Sequence, residues 1–335
     1  MATPLDFLVD EVPSYLPCGA GEHLMVRIEK SGITSAEAMR RIAKAAGLPE
    51  GAVSAAGHKD KAARARQWIS LPVPIRAPLP ELKSAESEEL KVLEAARHGN
   101  KLRPGHQRGN RFTITIRELP EGGLERAALI LARLRSTGVP NGFGPQRFGR
   151  EGDNAERALA CVRGTAHWPR DRRLRSLFMS ALQSKVFNRL LELRLETGTF
   201  GAALLGDVMQ KHATGGLFDV EDAATETLRV QALEISPTGL LPGPRARRAQ
   251  HEAKALEDRA MAEVGIGESE LAALDDGTRR AMRYPLDPEA KLGPGPGPST
   301  MVLEVFLPSG AYATVLLGEL MKPEQGEVLR ALPES

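Results

Sequence analysis

The sequence predicts a mixed α and β protein in which both ends of the chain build one α/β domain around a second, inserted unit. Three observations carry this. Alternating apolar strands stand at both ends, as "HLMVRIEK" near the start and "MVLEVFLP" near the finish. Between them, from about 166 to 286, the pattern is mainly amphipathic and helical, interrupted by "SPTGLLPGPRARR". A length of 335 residues suits two domains, or one with a large insertion.

Each element follows from its own signal. "DFLVDEV" and "HLMVRIEK" read as strands, with Leu24, Val26 and Ile28 alternating as on a half-buried face. "TSAEAMRRIAKAAG" is a helix, with Thr34 and Glu37 at capping-box spacing and Gly47 as its stop. "AVSAAG" is a short strand that delivers the loop Lys59-Asp60-Lys61, and "RQWISLPV" is the next strand. A helix is expected from about Glu88 to His98, then the basic turn "KLRPGHQRGN" and the strand "RFTITIR". "LERAALILARLRSTG" is a helix ended by Gly138 and Pro140. The repeated Gly-Pro of "KLGPGPGPS" reads as a linker into "MVLEVFLP". A turn at Ser309-Gly310 and a helix from Ala311 to about Leu320 follow, and the chain has no internal repeats.

Composition narrows the function classes. With 41% hydrophobic and 26% charged residues the chain is globular and able to bury a core. Net charge is only +2, so a basic surface must come from clustering. From Arg97 to Arg117 stand Arg97, Lys101, Arg103, Arg108, Arg111 and Arg117 with no acid among them. Such local basicity suits an anionic polymer bound in a groove. Cys18 and Cys161 match no metal-ligand spacing and the seven histidines show no paired spacing, so no metal is implied. Neither a secretory leader nor a membrane-crossing run is legible, and a reducing, cytoplasmic location is expected.

Two stretches carry chemistry. From Ala56 to Arg76, a segment that contains "GHKDKAARAR", Asp60 is the lone carboxylate against Lys59, Lys61, Arg64, Arg66 and Arg76. It is either half of a surface salt bridge, worth little, or a carboxylate kept ionised for reaction. "VPNGFGPQRFGREGDN" combines flexible backbone with Asn141, Phe143, Arg147 and Phe148. An aromatic beside an amide and a guanidinium is what stacking on a base and pairing with its edge require. An irregular loop whose phenylalanines plug the core fits the composition equally well. The apolar face of "SALQSKVFNRLLELRLE", with Leu182, Val186, Leu190 and Leu193, is core packing. His58 is read as a loop histidine satisfying local hydrogen bonds.

Taken together and in order, "GHKDKAARARQWIS", "RGNRFTITIR" and "VPNGFGPQRFG" resemble the tRNA pseudouridine synthase D (TruD) family. "PLDFLVDE", "GEHLMVRIEKSG", "SALQSKVFN" and "PSGAYATVLLGEL" fit the same pattern, so the resemblance spans nearly the whole chain. It implies an α+β fold: a pseudouridine-synthase catalytic domain on a mainly antiparallel sheet with flanking helices, residues 1–166 and 287–335, and an inserted α/β TRUD domain, residues 167–286. It implies a cofactor-free, metal-free isomerase acting on tRNA at uridine 13 of the D arm, with no membrane association and a monomeric state expected. Asp60 falls on the family's catalytic aspartate. Phe143 falls on the aromatic beside the target base, and Asn141 on the polar residue supporting the aspartate region. Phe7 and Tyr312 fall on two aromatics that enclose the flipped nucleotide, although at the latter the family often has Phe. Lys59, Lys61, Arg108 and Arg147 are expected to contact substrate, the two lysines also holding Asp60 ionised. Members commonly carry a Lys shortly before "PxDF"; here Met1 stands there, so that cation is expected upstream or dispensed with. Two other classes stay open: a non-catalytic RNA-binding protein with the same groove, and a hydrolase using Asp60 on a small phosphorylated substrate. The second is disfavoured, since no further carboxylate stands nearby to hold a metal.

Overall fold

The computed structural model describes residues 3–322. In chain order the elements begin with β1 (Phe7–Pro13), β2 (His23–Lys30), α1 (Ser35–Ala45), β3 (Ser54–Ala55), β4 (Arg64–Pro72), β5 (Leu90–His98) and β6 (Gln107–Ile116). Next come α2 (Gly123–Thr137), β7 (Val139–Pro140), α3 (Asn154–Val162), α4 (Arg172–Glu196), β8 (Val208–Lys211), β9 (Leu217–Asp219), α5 (Ala223–Gln231) and β10 (Ile235–Leu241). The chain closes with α6 (His251–Val264), α7 (Glu268–Ala272), β11 (Thr278–Ala281), β12 (Arg283–Tyr284), β13 (Lys291–Pro294), β14 (Met301–Pro308) and α8 (Ala313–Leu320). They fall into two units, one reaching to Ala128 and resuming over Asp287–Gly310, the other taking Leu129–Leu286 and resuming at Ala311.

The first unit rests on one sheet in the order β13-β14-β6-β1-β4-β2-β5, with β3 paired to β4. Among the described residues β1 and β4 run parallel, and the other strand pairs of this sheet are antiparallel. The alternation in β2 does what its pattern predicts: Leu24, Val26 and Ile28 lie in a core with Ile42 of α1 and Ile69 of β4. Half of the expected capping box forms at α1: the Thr34 hydroxyl accepts from the Glu37 amide at 3.1 Å, while the Glu37 carboxylate accepts from Arg40 and Arg41. Gly47 ends that helix at a φ of +67°, which a residue with a β-carbon adopts only at a cost.

Two segments of this unit correct the sequence reading. The helix expected from Glu88 to His98 is the edge strand β5, paired antiparallel to β2 from His23↔His98 to Lys30↔Leu90. Its residues are good helix formers, but helix propensity is a weak prior, and an unfilled edge of β2 offers a full ladder of hydrogen bonds. The expected Gly-Pro linker begins as a strand, β13, lying along β14. Proline is tolerated there because the strand is a sheet edge.

The second unit is rich in helix, as expected, but is not helical alone. It carries a sheet in the order β11-β10-β8-β9 besides its helices. The stretch that reads as an interruption, "SPTGLLPGPRARR", supplies most of β10, buried along nearly its whole length. Pro237 and Gly239 hide its strand character. Gly239 is required by packing: a β-carbon there would come within 2.5 Å of Cδ2 of Phe187 on α4. The helix α4 behaves as predicted, burying Leu182, Val186, Leu190 and Leu193 in one core with Phe178 and Phe187.

Candidate active site

In the first unit the loop between β3 and β4 carries Lys59, Asp60 and Lys61, and four elements grip it. From α1, the Ser35 hydroxyl accepts from the Lys59 amide at 2.8 Å and donates to Gln67 Oε1 at 2.7 Å. From β1, Glu11 Oε2 accepts from the Lys59 ammonium at 2.5 Å. From β6, Gln107 Oε1 accepts from the same ammonium at 3.0 Å. From the end of β2, the Lys30 ammonium donates to the Asp60 backbone carbonyl. The frame fixes the backbone on either side of Asp60 while leaving the residue exposed.

The two lysines flanking Asp60 have different environments. Lys61 is exposed. Lys59 is buried, its side chain 5% and that of Glu11 1% exposed, and its charge is matched within the fold. The cation that the sequence reading missed is Lys30, wholly buried at the end of β2. Burial holds its ammonium down at about 8; the Asp60 charge pulls it upward and Lys59 pushes it further down. A lysine that ends an apolar strand gives no sequence signal of this role, because its partner lies thirty residues on. His58 is exposed, as a loop histidine should be.

Phe7 opens β1, half-buried, with its ring 5.6 Å from that of Phe112. Arg103 and Arg108 are exposed, and Arg108 presents its backbone carbonyl to the Ser309 amide at 2.8 Å. Arg111, also exposed, stands 3.5 Å from Glu289. Met1, where the resemblance places a lysine in other members, lies outside the described residues.

The other candidates lie in the second unit, on and after the turn that follows β7. Asn141 is held at both ends of its carboxamide. Its Nδ2 donates to the Ala281 carbonyl at 2.8 Å, and its Oδ1 accepts from Arg280 Nη2 at 2.5 Å. Arg280 Nε also donates to the Asn141 carbonyl at 2.9 Å. Phe143 is gripped through its backbone by Asn188 of α4: the Phe143 amide donates to Asn188 Oδ1 at 2.8 Å, and Asn188 Nδ2 donates to the Phe143 carbonyl at 2.9 Å. The Phe143 ring is only 8% exposed and belongs to the core around Phe187, which it meets edge-on at 5.4 Å. The core-plug reading is therefore part of the truth about Phe143. Tyr312 meets the same ring at 5.9 Å. Arg147 lies over the ring with its Cζ 5.1 Å from the centroid, donating to the Tyr312 hydroxyl at 2.9 Å and to Ser180 Oγ at 2.7 Å. The structure thus joins Asn141, Phe143, Arg147 and Tyr312 in one cluster. It adds Arg280, which no motif singled out.

The first unit offers an exposed carboxylate on a rigid loop with basic residues about it. The second offers an aromatic ring attended by an amide, a phenol and two guanidiniums. A carboxylate can attack a sugar carbon or take a proton, and an aromatic with amide and guanidinium partners can hold a base.

Comparison with known proteins matches this chain to the family model described as tRNA pseudouridine synthase D (TruD), over residues 2–167 and 163–320. A tRNA pseudouridine synthase D of Anaeromyxobacter sp. (strain Fw109-5) is 47% identical over 328 residues, covering 96% of this chain and 91% of the relative. One from Thermus thermophilus is 43% identical over 335 residues, covering 98% and 90%. Among solved structures, a Methanosarcina mazei protein described as a TruD superposes with a TM-score of 0.74 at 24% identity, covering 95% of this chain and 92% of that one. That last likeness establishes the fold, a mixture of helices and antiparallel-dominated sheets.

Proposed function

This chain belongs to the tRNA pseudouridine synthase D family, and from that premise we propose that it isomerises uridine 13 in the D arm of tRNA, with Asp60 as the nucleophile. The observation that carries the reading is the loop around Asp60: gripped by α1, β1, β2 and β6, yet leaving Asp60 exposed to a substrate. Residues 1–166 with 287–335 form the catalytic domain in this reading, and 167–286 the inserted one.

The chemistry balances without a redox partner or a group donor. The Asp60 carboxylate attacks C1′ of the target nucleotide, and the bond from C1′ to uracil N1 breaks with its electron pair passing to uracil. Uracil turns so that C5 faces the sugar. The C5–C1′ bond forms as the carboxylate leaves, C5 gives up its proton, and N1 gains one. Atoms are conserved, as isomerisation requires. The target nucleotide must leave its stack, at a cost of about a few kcal/mol, and phosphate contacts from Lys61, Arg103 and Arg108 offset it. Asn141, Phe143, Arg147 and Tyr312 hold the detached base, and Phe7 is assigned to the flipped nucleotide by its match to the family's aromatic. The enzyme works as a monomer in the cytoplasm, where its tRNA substrate is, and needs no cofactor.

The test is a pseudouridine map of tRNA from cells with and without the protein, complemented by the parent chain or by Asp60→Asn. Position 13 should lose pseudouridine on deletion, regain it with the parent and not with the variant. An unchanged map would end the reading; a response at a different uridine would keep the isomerase and refute the position.

A further inference from the structure

Arg280 stands at a junction. It lies on β11 directly opposite Gly239 of β10, and directly opposed residues of an antiparallel pair project from the same face. Because position 239 has no β-carbon, the Phe187 ring occupies that space. The Arg280 guanidinium then extends across two aromatics, its Cζ 5.7 Å from the Phe187 centroid and 4.3 Å from that of Phe143. It also donates to both the side-chain and the backbone oxygen of Asn141. One side chain therefore holds the amide and lies closer over the ring than Arg147 does, 4.3 Å against 5.1 Å.

We propose that Arg280 is a positioning residue of the isomerisation, fixing Asn141 and presenting Phe143 as a ring polarised toward an anionic base. The inference rests on the function proposed above. A guanidinium over a ring draws the ring's electrons toward itself, so a base stacked on that aromatic meets a surface better suited to negative charge. Uridine is neutral in the ground state, whereas uracil carries the N1–C1′ electron pair once that bond breaks. The benefit grows as the bond breaks, so it belongs to the chemical step and not to tRNA binding. Burial pushes the Arg280 guanidinium down to about 10, which leaves it charged at neutral pH.

Single-turnover rate at saturating tRNA, tRNA affinity and melting temperature are measured for the parent, R280M, R280K, F143L and R280M/F143L. R280M should slow the chemical step by about 10- to 100-fold, in keeping with a misplaced catalytic group, with affinity within about two-fold of the parent. R280K keeps the charge and loses the fork, and should fall between R280M and the parent. The double variant should lose less than the two single losses combined, because the guanidinium acts in part through the ring. A parent-like rate in R280M, an equal fall in affinity and rate, or additive losses in the double variant would each overturn the proposal. If R280M does not fold, R280K decides, and a parent-like rate in R280K refutes the positioning role. A parent chain that forms no pseudouridine refutes the function proposed above and this inference with it; an active parent with an unaffected R280M refutes this inference alone.

Discussion

Replacing Lys59 by methionine should damage the protein far more than the same change at Lys61, although the two residues flank Asp60 symmetrically in the sequence. The Lys59 ammonium sits 2.5 Å from Glu11 Oε2, with side-chain exposures of 5% and 1%. Glu11 Oε1 also accepts from the Trp68 amide at 3.3 Å. Removing the ammonium leaves a buried carboxylate with that long backbone bond in place of its charge partner. Breaking one half of a buried pair costs about 3–5 kcal/mol. At about 2–4 °C per kcal/mol for a unit of this size, melting should fall by about 6–20 °C. Lys61→Met removes an exposed charge and should stay within about 0.5 kcal/mol of the parent. A third variant isolates the cause: Glu11→Met with Lys59→Met takes away both charges, and such replacements are often neutral or stabilising. It should recover most of the loss. The assay is thermal melting at pH 7 on the four proteins, alongside pseudouridine yield. Equal melting of the Lys59 and Lys61 variants would refute the structural distinction between these lysines, and a double variant no better than Lys59→Met would refute the ion pair as its cause.

Asp60→Asn should abolish pseudouridine formation while tRNA affinity stays equal or rises slightly, since one negative charge leaves a basic surface; residual isomerisation near the parent level refutes Asp60 as nucleophile. Reversing Arg103 and Arg108 together should weaken tRNA binding and lower the magnitude of its log–log salt slope by about 0.7–0.9 for each phosphate no longer neutralised; an unchanged slope removes this face from the interface. Phe143→Ala should lower stability by about 3–5 kcal/mol, because the ring is buried core, so the catalytic contribution is read instead from Phe143→Leu, which should melt near the parent and turn over more slowly. For Lys30, burial sets the folded value at about 8 against 10.5 for a free lysine. Between those values the unfolded chain binds a proton that the folded chain does not, so this residue makes stability rise with pH across that window. Lys30→Met should remove the rise, and identical pH–stability slopes in parent and variant above pH 8 would contradict it.

What can be read from the sequence divides along a physical line. Strand β2, helix α1 with its Thr34 cap, strand β14 and the core face of α4 are written locally, in periods and caps that span a few residues. Strand β5 is not, because its helix-forming residues become a strand only where β2 lacks a neighbour. Strand β10 is not either, because its Gly239 makes sense only beside the Phe187 ring on α4. The site follows the same division. Asp60, Asn141 and Phe143 sit in short motifs and are legible through their resemblance to a family. Lys30 and Arg280 act on residues 30 and 139 positions away, and nothing in their own neighbourhoods signals it. The different fates of Lys59 and Lys61 depend on a glutamate in β1, which no local pattern ties to the loop.

The grip of Asn188 on Phe143 has a consequence for how this protein can change. The carboxamide bonds to the amide and carbonyl of residue 143, groups that every residue other than proline supplies alike. The path of the backbone and the ring mounted on it are thus encoded at separate positions, one on a long helix and one in a turn. The ring can be exchanged in the course of descent while the chain keeps its course. Asn188 has no such latitude: an ionised aspartate lacks the donor, and glutamine carries its amide one methylene too far. Under the function proposed above, a lineage that alters base handling can do so at 143 and its aromatic neighbours, and the mount at 188 should outlast the tool it carries.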